Sequence, residues 1–266
     1  MAEASIKNKS PLRYPGGKTR ACKVLNTILT DNFKPSDFSV IVSPFFGGGS
    51  FEFYLQSQYN LDIFANDKFT PLYNFWNICK HQQTQLCDAL YKYINKVTKE
   101  DFIKYRDIIM DEKDSLQQAL LYFIINRCSF SGATLSGGFS LEASKKRFTT
   151  SSVDRIKKLN LSKFTISGVD FEEFINKNVG ERNLLFLDPP YYLEKNSKLY
   201  GKNGDMHEKF DHKRLYKCLC AQHNWFMTYN NCDYIKKLYK DFKIIETSWS
   251  YGMNKSKKSS EIVIIG

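Results

Sequence analysis

The chain contains no Cys-x-x-Cys pair, and of its seven cysteines only Cys218 and Cys220 stand close together. That spacing offers neither a zinc site nor a disulfide framework, so a reducing compartment is expected. Histidine is scarce: the four present are scattered without metal-ligand spacing, and no metal is expected. Long apolar runs are missing, since no stretch approaches the roughly 20 residues that cross a bilayer. Residues 1–10 are polar and lack the apolar core of a signal peptide. These absences point to a cytoplasmic protein with no membrane contact. Acidic residues are the minority charge, 28 against 39 Lys and Arg, which leaves a net charge of +11. Such a surplus favours a polyanionic partner, most simply nucleic acid. A generally lysine-rich composition gives the same number, so charge alone does not choose.

With 266 residues, 42% of them hydrophobic, the chain can bury a sizeable core, as one large domain or a domain with an insert. Val40-Ile41-Val42 reads as a short buried strand. It leads into Ser43-Pro44-Phe45-Phe46-Gly47-Gly48-Gly49-Ser50, then a helical segment, then a second strand, Leu61 to Ala65, ending at Asn66-Asp67. From Pro71 to Arg127 the apolar spacing is helical. Cys128 to Thr150 is rich in Ser, Gly and Thr and reads as loops or a small hairpin. Strand and helix then alternate: strands at Phe164–Ser167, Leu184–Leu187 and Trp225–Tyr229, helices at Phe171–Asn176, Asp211–Gln222 and Cys232–Tyr239. Two last strands, Phe242–Trp249 and Glu261–Ile265, are joined by a basic loop and should pair antiparallel. The expected fold is α/β: a mostly parallel sheet, interrupted by a helical insert and closed by a C-terminal antiparallel hairpin.

Two motifs carry chemistry. The strand at Leu184–Leu187 runs into Asp188-Pro189-Pro190-Tyr191 and must stop there, because proline gives no ladder hydrogen bond. A rigid turn thus presents a carboxylate, a carbonyl and a ring at a strand's carboxyl end, where open α/β sheets bind ligands. The Asp188 carboxylate and the Pro189 carbonyl can accept the two hydrogens of an exocyclic amino group and stabilise charge developing on its nitrogen. Tyr191 can stack on the base that bears it. Gly47, Gly48 and Gly49 let the backbone approach a ligand, and Asp67, 20 residues after Gly47, can accept from ribose hydroxyls. Loop and acid favour an adenosine-containing cofactor without choosing among NAD, nucleotides and S-adenosylmethionine.

Four segments in order, Arg13-Tyr14-Pro15-Gly16-Gly17-Lys18, Pro44-Phe45-Phe46-Gly47-Gly48-Gly49-Ser50, Asn66-Asp67 and Asp188-Pro189-Pro190-Tyr191, resemble the alpha-class, Dam-like DNA adenine-N6 methyltransferases. The resemblance covers nearly the whole chain. It implies a Rossmann-like S-adenosylmethionine-dependent sheet formed by residues 1–70 and 161–266, with residues 71–160 as a helical target-recognition insert. It implies S-adenosyl-L-methionine as cofactor, bound by Tyr14, Lys18, Phe45, Gly47, Gly49, Asp67, Asp170, Phe171 and Asp188. Asp188, Pro189 and Tyr191 become the catalytic residues. A flipped adenine in double-stranded DNA becomes the substrate. Asn126, Arg127, Phe130 and Ser131 fall where related enzymes contact DNA, and Ser129, Thr134 and Ser136 lie within reach. Lys145, Lys146, Arg147, Arg155, Lys157, Lys158 and Lys255 add charge for phosphates. A bacterial or phage cytoplasmic enzyme acting as a monomer is implied, for restriction-modification or DNA marking, with a cognate endonuclease as a possible partner. Cytosine N4, RNA adenine or a protein amide as acceptor, and an inactive DNA-binding relative, are the alternatives.

Overall fold

The computed structural model describes residues 8–192, 210–249 and 260–266. Its seven-stranded sheet contains β1 (Val40–Ser43), β2 (Asp62–Asn66), β3 (Phe164–Ser167), β4 (Asn183–Leu187), β5 (Trp225–Asn230), β6 (Lys243–Thr247) and β7 (Glu261–Ile265). The spatial order is β3-β2-β1-β4-β5-β7-β6. The first five strands are parallel. β7 is antiparallel to both β5 and β6, so the C-terminal hairpin adds to the sheet through its second strand. β4 and β5 are buried almost throughout, because helices cover both faces of the sheet. Leu184-Leu185-Phe186-Leu187 accordingly reads as a continuous apolar run rather than an alternating one.

On one face the core gathers Leu25 of α1 (Cys22–Asn32), Phe51 of α2 (Ser50–Tyr59) and Trp76 of α3 (Thr70–His81) beneath Ile41, Ile63 and Phe186. The core continues without a break into α4 (Gln83–Tyr91), α5 (Lys99–Ile108) and α6 (Ser115–Cys128). α6 is buried from Gln118 to Cys128 on every side, as a helix at the centre of a bundle must be. Its start is set by Asp114, whose carboxylate accepts the Gln117 N–H.

The Cys128–Thr150 stretch differs from a simple loop or hairpin. It holds one antiparallel bridge, Ser129 to Phe139, two 3-10 turns, and the helix α7 (Leu141–Lys146), which α8 (Thr150–Lys157) follows. Local capping explains α7. The Ser140 hydroxyl accepts the Ala143 N–H, and Lys145 and Lys146 meet the negative end of the helix.

The other face is covered by α9 (Phe171–Lys177), α10 (His212–Cys220) and α11 (Asp233–Leu238). Strand order reverses between β1 and β4, so a crevice opens at their carboxyl ends. The glycine loop leaves β1 there and the Asp188 turn leaves β4.

Candidate active site

Asp188 stands at the end of β4 with 24% of its side chain exposed, facing Lys18, which is 4% exposed. The Lys18 ammonium donates to Oδ1 at 2.7 Å, to Oδ2 at 2.6 Å and to the Gly16 carbonyl at 3.0 Å. Gly16 has φ 72°, in the left-handed region, and this turns the chain so that Lys18 points back at the sheet. A further hydrogen bond reaches Asp188 from Thr228 of β5, whose hydroxyl donates to Oδ1 at 2.7 Å.

The strands beside β4 hold the rest of the turn. Tyr229 donates from its hydroxyl to the Pro190 carbonyl, 3.1 Å away, and also meets His212 Nδ1. The Asn230 amide donates to the Tyr192 carbonyl at 2.9 Å. Tyr191 stacks on Tyr229, centroids 5.5 Å apart, and its hydroxyl donates to Glu261 Oε2 at 2.8 Å. Glu261 is buried and pairs in register with Asn230 across β5 and β7. Thr228, Tyr229, Asn230 and Glu261 escape a motif reading. Their signal in the sequence is a polar group inside an apolar strand, because a buried polar group must find a partner.

Across the crevice the glycine loop is braced from three sides. Asp67 accepts the Gly47 N–H at 3.0 Å and the Phe69 N–H at 3.0 Å. The Trp76 indole donates to the Gly47 carbonyl at 2.9 Å. Tyr14 lies on the loop: a Cβ at Gly47 would stand 2.8 Å from its ring, and one at Gly48 2.7 Å from its Cβ. Burial pushes the Asp67 carboxyl up to about 6, although the two N–H groups pull the other way. Beneath the loop, buried Glu52 accepts from the Ser43 hydroxyl at 2.6 Å. Burial drives its carboxyl up to about 7. Asn66, also buried, ties Pro44 to Val169 through its side-chain amide.

At the mouth of the crevice Phe45, Phe171 and Phe210 form a cluster of rings with centroids 5.5 to 5.6 Å apart. Asp170 caps α9 through the Glu172 N–H, and its carboxylate is held by Arg214 and Lys68. Arg214 also lies over the Phe171 ring at 4.2 Å.

A glycine loop after β1, an acid after β2 and an Asp-Pro-Pro-Tyr turn after β4 thus meet at one crevice. A family model described as D12 class N6 adenine-specific DNA methyltransferase matches residues 14–253. The chain belongs to this family. It is also 22% identical over 240 residues to the type II methyltransferase M.CviBI of Paramecium bursaria Chlorella virus NC1A, an alignment covering 88% of this chain and 87% of that protein. The resemblance read from the sequence and the α/β fold expected with it are borne out. This is a site-specific DNA methyltransferase, and N6 of adenine is its acceptor.

In this methyltransferase the residues expected to face DNA divide into two groups. Asn126 belongs inside. It is buried, accepts the Arg13 N–H at 3.1 Å, and donates to the Arg13 carbonyl at 2.7 Å and to Thr134 Oγ1 at 3.2 Å. Its amide is engaged with protein groups in this structure. Ser129 and Thr134 are likewise buried and bonded to the loop backbone. Their short hydroxyls serve the turn that the bridge at Ser129 closes.

Phe130 lies outside, 70% exposed, at the start of that turn. Ser131 and Thr134 adopt left-handed φ of 56° and 51°, a strain that the Asn126 and Ser129 hydrogen bonds hold in place. Arg127 is 5% exposed, its guanidinium 5.5 Å from the Phe123 ring and its Nε without a hydrogen-bond partner among the described residues. Burial, and then the charges of Arg155, Arg13 and Arg147, lower its basicity to about 10. No ion pair to a carboxylate among the described residues offsets these four arginines. Lys145 and Arg147 are exposed, and Lys146 pairs with Glu142 at 3.1 Å. Lys255 lies outside the described residues.

Proposed function

We propose that the chain binds S-adenosylmethionine in the crevice between β1 and β4 and methylates an adenine flipped out of duplex DNA. The observation that carries this reading is the Asp188 carboxylate. It is pinned by Lys18 and Thr228 at the carboxyl end of β4, opposite the glycine loop.

The residues present suit this cofactor. Asp67 offers a carboxylate to ribose hydroxyls, and Tyr14, Lys18, Gly47 and Gly49 are the residues proposed to hold the cofactor beside it. Phe45 and Phe171 offer an apolar wall to adenine, with Asp170 at its edge. Their rings are 5.6 Å apart, closer than the about 7 Å that two stacking distances require, so a base between them needs the pair to part. When bound, S-adenosylmethionine supplies the electrophilic methyl group. The chain's own part is to hold the acceptor. Asp188 and the Pro189 carbonyl accept the two amino hydrogens, and Asp188 offsets the positive charge that grows on nitrogen. Tyr191, fixed through its hydroxyl by Glu261, stacks against the base.

The insert supplies the DNA contacts. Phe130 is an exposed ring on a rigid, strained turn, the form of an apolar wedge that replaces an extruded base. Arg147, Arg155 and Arg13, short of carboxylate partners, match DNA phosphates, with Lys145 and Lys146 at the rim, and buried Arg127 adds its charge beside them. Ser131 adds a hydroxyl beside the wedge. The enzyme's biological partner is then a restriction endonuclease reading the same site.

The test is to express the chain in cells whose DNA lacks this modification and sequence that DNA with a method sensitive to modified bases. One short motif carrying N6-methyladenine is expected. A parallel assay with labelled S-adenosylmethionine and DNA, RNA and protein acceptors should label DNA alone. Labelling of RNA or protein in preference to DNA overturns the reading.

A further inference from the structure

We infer that Thr228 is a positioning residue for methyl transfer, its hydroxyl fixing the plane in which the Asp188 carboxylate faces the reacting amino group. The inference rests on the reading that Asp188 accepts from that group. Thr228 is fully buried, midway along the apolar strand β5. A buried hydroxyl must place its single proton on an acceptor. Two are near: Asp188 Oδ1 at 2.7 Å and the Leu187 carbonyl at 3.5 Å. The shorter, charged one takes it.

Lys18 donates to the same Oδ1 at 2.7 Å and to Oδ2 at 2.6 Å. Each carboxylate oxygen has two lone-pair directions. Oδ1 therefore carries two donors and is filled, whereas Oδ2 carries one and keeps capacity for an amino hydrogen. A carboxylate's terminal torsion is broad and two-fold, so Lys18, which meets both oxygens almost equally, defines the plane poorly. The directional Thr228 bond restricts that torsion. Reacting groups held to within a fraction of an ångström gain most from such fixing.

The test uses the full chain with Thr228→Val, of the same shape without the hydroxyl, and Thr228→Ser, which keeps it. Single-turnover methyl transfer is measured at saturating cofactor and DNA, with the dissociation constants of both and the melting temperature. For Thr228→Val the expected result is a transfer rate lower by about 10- to 100-fold, with dissociation constants within about twofold of wild type. Thr228→Ser recovers most of the rate. A Thr228→Val rate near wild type overturns the inference, as does a Thr228→Ser rate as low as that of Thr228→Val, which marks a packing effect. If Thr228→Val does not fold, Thr228→Cys, of similar size and a weak donor, is read the same way. Asp188→Asn separates the two levels. Near wild-type transfer by that variant defeats the reading of Asp188 itself, whereas an inactive Asp188→Asn beside an unimpaired Thr228→Val defeats only the role of Thr228.

Discussion

The Lys18 ammonium lies 2.6 Å from Asp188 Oδ2, although 170 residues of chain separate the two. The contact joins the first and last of the four recognised segments; Lys18 is buried, whereas Asp188 is 24% exposed. Removing Asp188 leaves the buried Lys18 charge uncompensated. Asp188→Ala should therefore abolish methyl transfer and also cost about 3 kcal/mol of stability. The double variant Lys18→Ala, Asp188→Ala should recover part of that loss while remaining inactive. Denaturant unfolding of the four proteins checks the cycle; additive stability losses would show that the pair is not coupled.

Asp67 gives a pH dependence. Its folded carboxyl is raised to about 6, so it becomes protonated as pH falls through that value and no longer offers a charged acceptor to ribose. Affinity for S-adenosylmethionine should fall below pH 6 and level off above pH 7. Asp67→Asn should bind weakly with that step absent. Calorimetric titration from pH 5 to 8 on both proteins measures the difference, which isolates Asp67 from protonation of the cofactor.

Glu52 links pH to stability. Its carboxyl, ordinarily near 4.5, is raised to about 7 in the folded protein, so the folded state binds more protons between those values. Stability then falls as pH rises through this window, by at most about 3 kcal/mol, and is flat above it. Glu52→Gln keeps an acceptor for Ser43 and should remove this slope, leaving the variant more stable than wild type at pH 8. Urea unfolding at pH 5, 6, 7 and 8 checks the sign; a wild-type stability that rises across this window relative to Glu52→Gln would refute it.

Phe130 and Asn126 are four residues apart but should fail differently. Phe130→Ala removes an exposed ring and should change stability by no more than about 0.5 kcal/mol, while base flipping drops. Asn126→Ala removes the bonds that join the Arg13 backbone to the turn at Thr134 and should cost about 3 kcal/mol. Thermal melts, together with fluorescence of 2-aminopurine placed at the target position, separate the two effects.

The sequence by itself determined the strands, the glycine loop, the Asp188 turn and the order of the four segments. Those features are local. A proline pair ends β4 wherever it occurs, and a run such as Leu184–Leu187 is apolar because both faces of its strand are covered. The helix α7 was not legible, since its capping bond from Ser140 competes with a Ser- and Gly-rich context that reads as loop. The tertiary structure decided which polar residues meet. Asn126 and Phe130 look equally available along the chain, yet α6 turns the first into the core and the bridge at Ser129 lifts the second into solvent. Thr228 reaches Asp188 because β5 lies parallel beside β4, and Glu261 reaches Tyr191 because β7 inserts antiparallel between β5 and β6. Strand adjacency of that kind is set by packing over the whole sheet, and no short window of residues contains it.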